Sequence, residues 1–234
     1  MRSIWRTLTP TLRRDLLALA GAITVVGASF GAIAVAAGLP WWMPSVLSVL
    51  VFAGGSQFMV VGVVAAGGGL VAAVLGALVL NARHLPFGLA LGDIMGRGWP
   101  ARLVGSHLMV DESVAFAMAQ KEPRRARAVF WACGVALFVS WNVGTIVGAL
   151  AGRVIGDPGA LGLDAAFPAA LLALVLPSLR KAPRARNAAL LGAAIALAAT
   201  PFLPAGVPVL LALGGLVVLI PAPAPASADE EVPA

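Results

Sequence analysis

The feature that most constrains this chain is a succession of long apolar stretches, with little sequence left between them. They lie at about 16–39, 44–66, 69–91, 104–120, 128–151, 165–179, 187–200 and 206–220, each closed by prolines, glycines or charges. A bilayer core about 30 Å thick takes about 20 apolar residues per helical crossing, so these stretches read as membrane spans. With 60% hydrophobic residues, 11% charged residues and a mean hydropathy of +0.97, the chain carries more apolar surface than a water-soluble core can use.

The expected fold class is an all-α integral membrane protein: a bundle of about seven transmembrane helices, six to eight, forming one membrane domain over residues 1–221. The range is set by the last two stretches, which Pro201, Pro204 and Pro208 divide into either a tight hairpin or one broken helix. After Ile220 come alternating prolines and alanines and then Asp229, Glu230 and Glu231, so residues 222–234 are expected to be a disordered cytoplasmic tail.

A net charge of +6 invites a nucleic-acid reading, but the basic residues form short clusters between apolar stretches rather than one stripe, and no nucleic acid is expected. Four precede the first stretch, four lie in Lys121 to Arg127 and four in Arg180 to Arg186. An even number of stretches separates successive clusters, so the positive-inside rule puts all of them, with the N-terminus, in the cytoplasm. Arg97, Arg102, Arg153 and the interfacial pair Trp41-Trp42 are expected on the opposite side. The first stretch ends in Ala34-Val35-Ala36, as a cleavable signal does, but Leu16 to Leu39 is too long for one and reads as a retained anchor. Cys133 is the sole cysteine, which excludes an intrachain disulfide. Glycines at four-residue spacing, Gly27 and Gly31, then Gly144, Gly148 and Gly152, suit close helix packing within the chain or against a partner subunit, a second copy included.

Three places interrupt the apolar pattern, and polar groups persist in lipid only when paired, hydrated or useful. In Phe52-Ala53-Gly54-Gly55-Ser56-Gln57-Phe58, two glycines and a serine can break a helix in mid-membrane. The resumed half-helix would offer free N–H groups and a positive dipole end to an anionic group, with Gln57 adding a side-chain contact. In Asn81-Ala82-Arg83-His84, the spacing puts Asn81, His84 and Gly88 on one helical face. In Ser106-His107-Leu108-Met109-Val110-Asp111-Glu112-Ser113, His107 and Asp111 share a face at i, i+4, and Glu112 points about 100° away. A salt bridge from Arg83 to Asp111 or Glu112 would explain how both stretches tolerate charge, and purely structural pairing is the plain alternative.

Enzymatic readings find little support in the same residues. Ser56 with His84 or His107 forms a hydrolase only by assumption, the His-Glu-x-x-His zinc motif is absent, and no glycine-rich nucleotide loop occurs. No cofactor or metal is expected.

In order and approximate spacing, the Phe52–Phe58 segment, Asn81-Ala82-Arg83-His84, and Asp111-Glu112-Ser113 followed by Phe116-Ala117 resemble the AzlC-like family of branched-chain amino acid permease large subunits. The resemblance runs over most of the chain. It implies a multi-pass permease of the bacterial inner membrane that exports branched-chain amino acids with a small AzlD-like membrane subunit. The chain departs from the family in Phe87, where a tyrosine is common, and in Val110, where a small polar residue often stands. The expected transport path comprises Gly54, Gly55, Ser56, Gln57, Asn81, Arg83, His84, His107, Asp111 and Glu112, with protonation of Asp111, Glu112 or His84 coupling flux to a proton gradient. Similar interruptions in 44–91 and 104–151 hint at inverted repeats. An ion or small-solute channel, an intramembrane hydrolase and a non-transporting assembly subunit are the other classes.

Overall fold

The structure, a computed structural model, describes residues 8–154, 172, 176 and 179–219. Two helices, α1 (Pro10–Ala36) and α8 (Pro123–Gly152), are long and apolar enough to cross a bilayer unaided. At about 1.5 Å per residue they are about 40 and 45 Å long. Each starts with a proline, whose missing N–H is no loss in a first turn. Thr9 caps α1 by accepting from the Leu12 N–H at 3.4 Å.

The glycine stripes join these two helices to each other. A Cβ on Gly27 would lie 2.7 Å from the Trp141 carbonyl oxygen and one on Gly152 would lie 3.0 Å from Ala32 Cα; at Gly31, Gly144 and Gly148 it would overlap the facing backbone. Thr24 faces Gly144, Ala28 faces Gly148 and Ala32 faces Gly152, so contacts ascend together and the helices are parallel. Both therefore begin at one end of the molecule, with Arg13 and Arg14 on α1 and Arg124, Arg125 and Arg127 on α8. At the other end the Arg153 guanidinium lies 5.6 Å from the centre of the Trp41 ring. These are called the arginine end and the tryptophan end below.

From the tryptophan end the chain enters as α2 (Met43–Val51), breaks at Phe52 and Ala53, and continues as α3 (Gly54–Ala65). Phe52 sits in the left-handed region at φ 32, rare for a bulky residue. The break reverses the chain: Gln57 Nε2 donates to the Leu47 carbonyl at 2.8 Å, whereas ten residues of straight helix would separate them by about 15 Å. Stretch 44–66 is thus a hairpin that returns to the side it came from. Next, α4 (Leu70–Asn81) packs along α3, with Met59 over Gly76, and leads into α5 (His84–Met95) through a 44° bend. This bent pair is the third passage that length and composition allow among the described residues.

Then α6 (Trp99–His107) runs back along α5: Arg102 Nε donates to the Gly96 carbonyl at 3.3 Å, Met95 covers Gly105, and Met109 approaches Gly88. After a break over Leu108 to Val110, α7 (Asp111–Met118) returns, placing Val114 and Ala117 in one buried cluster with Leu91, Met95 and Phe130. Stretch 104–120, expected as a span, is instead the second half of an inward hairpin made of helices of 9 and 8 residues, each too short to cross. A second expectation falls with it. Arg127 Nη2 lies 2.8 Å from where a Gly96 Cβ would sit, so Arg97 and Arg102 belong to the arginine end, not opposite it. The parity between the first two basic clusters survives because both false spans are hairpins and cancel.

The last described elements, α9 (Pro183–Ala199), α10 (Val207–Leu211) and a 3₁₀ segment (Ala212–Leu219), form a tight antiparallel hairpin. Gly192 meets Ala212, Gly215 meets Ala188, and the connecting loop lays the Ala205 carbonyl against Gly68. Among the described residues, regular structure is all helical, and two helices, or three passages if the bent pair counts as one, are long and apolar enough to cross a bilayer. Most of stretch 165–179, residues 222–234, Arg2 and Arg6 lie outside the described residues. Leu17, Leu50, Leu85, Leu89 and Leu197 are 70–88% exposed, a surface suited to lipid. Phe30, Phe52, Phe58, Val129, Leu137 and Trp141 build the main core between α1, the first hairpin and α8.

Candidate functional site

The two hairpins enter from opposite ends, and their tips meet on α8. The Phe52 and His107 rings are 6.2 Å apart, and Phe138 touches both, at 5.0 and 5.6 Å. Gly134 lets the second tip approach, since a Cβ there would lie 2.9 Å from the Leu108 carbonyl oxygen.

At the first tip, Gly54 lies beneath Trp141, whose ring would be 2.9 Å from any Cβ at that position. The first bond of α3 runs from the Gln57 N–H to the Ala53 carbonyl at 3.0 Å, which leaves the N–H groups of Gly54, Gly55 and Ser56 without a helical partner. The first turn of α3 carries no acidic residue, so its positive dipole end is not neutralised locally. Ser56 Oγ donates to the Ala53 carbonyl at 2.9 Å. Gln57 is 2% exposed; its Nε2 ties the hairpin together, while its buried Oε1 has no partner among the described residues.

At the second tip, the Ser113 hydroxyl accepts from the Val110 N–H at 2.9 Å and shares its proton between the Val110 and Leu108 carbonyls, at 2.9 and 3.3 Å. One side chain thereby supports the broken backbone. Asp111 and Glu112 occupy the first turn of α7, where the helix dipole favours negative charge. Asp111 Oδ2 pairs with Arg83 Nη1 at 2.7 Å, the side chains being 19% and 35% exposed. Of the two expected carboxylates, the structure pairs Asp111 with Arg83. Arg83 projects from the α4–α5 bend, where His84 donates from Nδ1 to the Asn81 carbonyl at 3.0 Å. Arg83 Nε and Asn81 Oδ1 are buried without partners among the described residues.

One expected face does not form. His107 ends α6 and Asp111 begins α7, so the break at Leu108 to Val110 removes their helical spacing. Ala82 and Arg83 keep right-handed helical dihedrals through the 44° bend, and the His84 ring stays bonded to the Asn81 carbonyl. The Ser56 hydroxyl is bonded within its own turn, and the His107 ring packs on Phe52 and Phe138. Among the described residues no three histidines, cysteines or acids converge as a metal site.

Sequence reasoning missed the scaffold of the site. Ser48 Oγ donates to Asn142 Oδ1 at 2.8 Å, fixing α2 on α8. Asn142 interrupts an apolar stretch as visibly as Gln57 does, and that signal was available. Trp141 and Phe138 carry no such mark, because aromatic residues are ordinary in a span. An open cleft of about 510 Å³ runs between α5 and α6 and reaches the second tip at Met109.

The AzlC protein family matches residues 18–155, more than half of the chain and all of both tips. The inner membrane protein YgaZ of Escherichia coli (strain K12) is 31% identical over 155 residues, covering 62% of this chain and 63% of the relative. The chain thus spans less than two thirds of the length of that relative. No solved structure matches. The family match contains the opposed hairpins, the Arg83–Asp111 pair and the glycine contact that makes α1 and α8 parallel, and the chain is a member of the AzlC protein family.

Proposed function

We propose that the protein is a secondary transporter of small zwitterionic amino acids, branched-chain ones as the AzlC resemblance implies. In this reading it works as an exporter in the bacterial inner membrane, with its N-terminus cytoplasmic and with a small AzlD-like subunit. The observation that carries the proposal is the contrast between the two tips. The α3 end is acid-free and presents N–H groups that have no partner within the helix, while the α7 end carries Asp111 and Glu112 beside Arg83. A substrate carboxylate suits the first and an ammonium the second, and half-helix ends of this kind hold zwitterions at the midplane of transporters. Arg83 and Asp111 would exchange their mutual contact for the two substrate charges.

Hairpin and passage follow one another in residues 43–95 and again in 99–152, entered from opposite ends. That order supports an inverted-repeat reading, in which one half rocks against the other around the meeting tips. Counterflow of labelled isoleucine, valine and methionine into vesicles containing the protein, with and without its small partner, tests the proposal. Selective counterflow lost in Asp111→Asn is expected; equal flux of unrelated solutes without counter-substrate stimulation would favour a channel.

A further inference from the structure

We infer that the cleft between α5 and α6 binds one anionic phospholipid, its phosphate at Arg102 and an acyl chain along the glycine floor. The cleft volume, about 510 Å³, falls within the roughly 300–1,000 Å³ of small-ligand sites. Its walls are Leu89, Met95, Leu103 and Met109, and its floor is Gly88 and Gly92. A Cβ on Gly92 would meet nothing within 4 Å and one on Gly88 only the Met109 methyl at 3.9 Å, so the missing side chain at Gly92 leaves open space rather than permitting a helix contact. Leu89 is 88% and Leu103 54% exposed, which puts the groove on the lipid-facing surface.

Charge decides the occupant. The groove ends where Arg102 donates to the Gly96 carbonyl and where Arg127 reaches the same glycine, with Arg97 next in sequence. Arg102 spends only its Nε on that bond, and among the described residues no salt bridge joins Arg97, Arg102 or Arg127 to a carboxylate. Trp99, 74% exposed, stands at the same mouth, as an interfacial aromatic does. An apolar groove running from arginines and a tryptophan towards the bilayer centre matches a headgroup and tail in both order and polarity. A polypeptide helix laid there would set its apolar body against the guanidinia.

The test is native mass spectrometry of the full chain in detergent, titrated with phosphatidylglycerol and, separately, phosphatidylcholine of the same chains. One tightly retained phosphatidylglycerol is expected. Arg102→Gln should weaken it roughly fivefold, the factor that about 1 kcal/mol per juxtamembrane arginine corresponds to. Gly92→Leu, which points into open space and leaves the fold intact, should weaken both lipids. Equal retention of the two lipids, unchanged binding in Gly92→Leu, equal competition by glycerol phosphate, or a lipid-free dimer abolished by Gly92→Leu would each overturn the inference.

Discussion

Neutralising one member of the Arg83–Asp111 pair should harm the protein more than neutralising both. The two atoms are 2.7 Å apart, and no other carboxylate bonds Arg83 among the described residues. Asp111→Asn leaves an uncompensated guanidinium and Arg83→Gln an uncompensated carboxylate, and a lone charge at the centre of a membrane helix costs about 2.5–3.5 kcal/mol on the insertion scale. The side chains are 35% and 19% exposed, so water shelters both in part and the lower end applies. We expect each single variant to lose about 2 kcal/mol and the double variant about 1 kcal/mol, a coupling of about 3 kcal/mol, at the upper end of the range for contacting pairs. For a chain of this size about 2 kcal/mol shifts the midpoint by about 4–8 °C. Thermal unfolding of the four proteins in one detergent reads the cycle directly. Counterflow on the same preparations separates stability from transport, because the double variant should fold well and still fail to transport. Additive losses in stability would refute the pairing argument, and full transport by the double variant would refute its role.

Two further outcomes follow from the architecture. Gly148→Leu should disperse the protein on size exclusion, because its side chain meets the Ala28 backbone, and overpacking typically costs about 1–3 kcal/mol; Gly21→Leu, with nothing within 4 Å of its Cβ, should behave as wild type. Single cysteines at Arg97 and Arg124, in a background with the buried Cys133 replaced by alanine, should react with an impermeant maleimide from the same side, and one at Trp42 from the other; opposite labelling of 97 and 124 would contradict the second hairpin.

The chemistry of the tips was legible in the sequence because lipid punishes unpaired polarity. Gln57, Arg83, Asp111 and Glu112 stand out in apolar stretches whatever the fold, and the need of Arg83 for a carboxylate followed from charge alone. Gly54 and Gly55 announced the first break, and the glycine stripes announced a close helix contact.

Direction was not legible. Hydropathy counts apolar length, and a hairpin of two half-helices has the same length as one span, so 44–66 and 104–120 passed for crossings. A single tertiary bond, Gln57 to Leu47, distinguishes reversal from continuation at the first tip; the packing of Val114 and Ala117 with Leu91, Met95 and Phe130 does so at the second. Helical spacing failed across Leu108 to Val110 for the same reason: a periodicity assumes an unbroken axis, and Ser113 stabilises a break that no local glycine or proline signals. The sequence by itself determined a helical membrane chain with charges that must find partners. Only the tertiary structure decided that the helices carrying them turn back inside the molecule, because the direction of each half-helix is set by what it packs against, α8 above all, and apolar length carries no record of that.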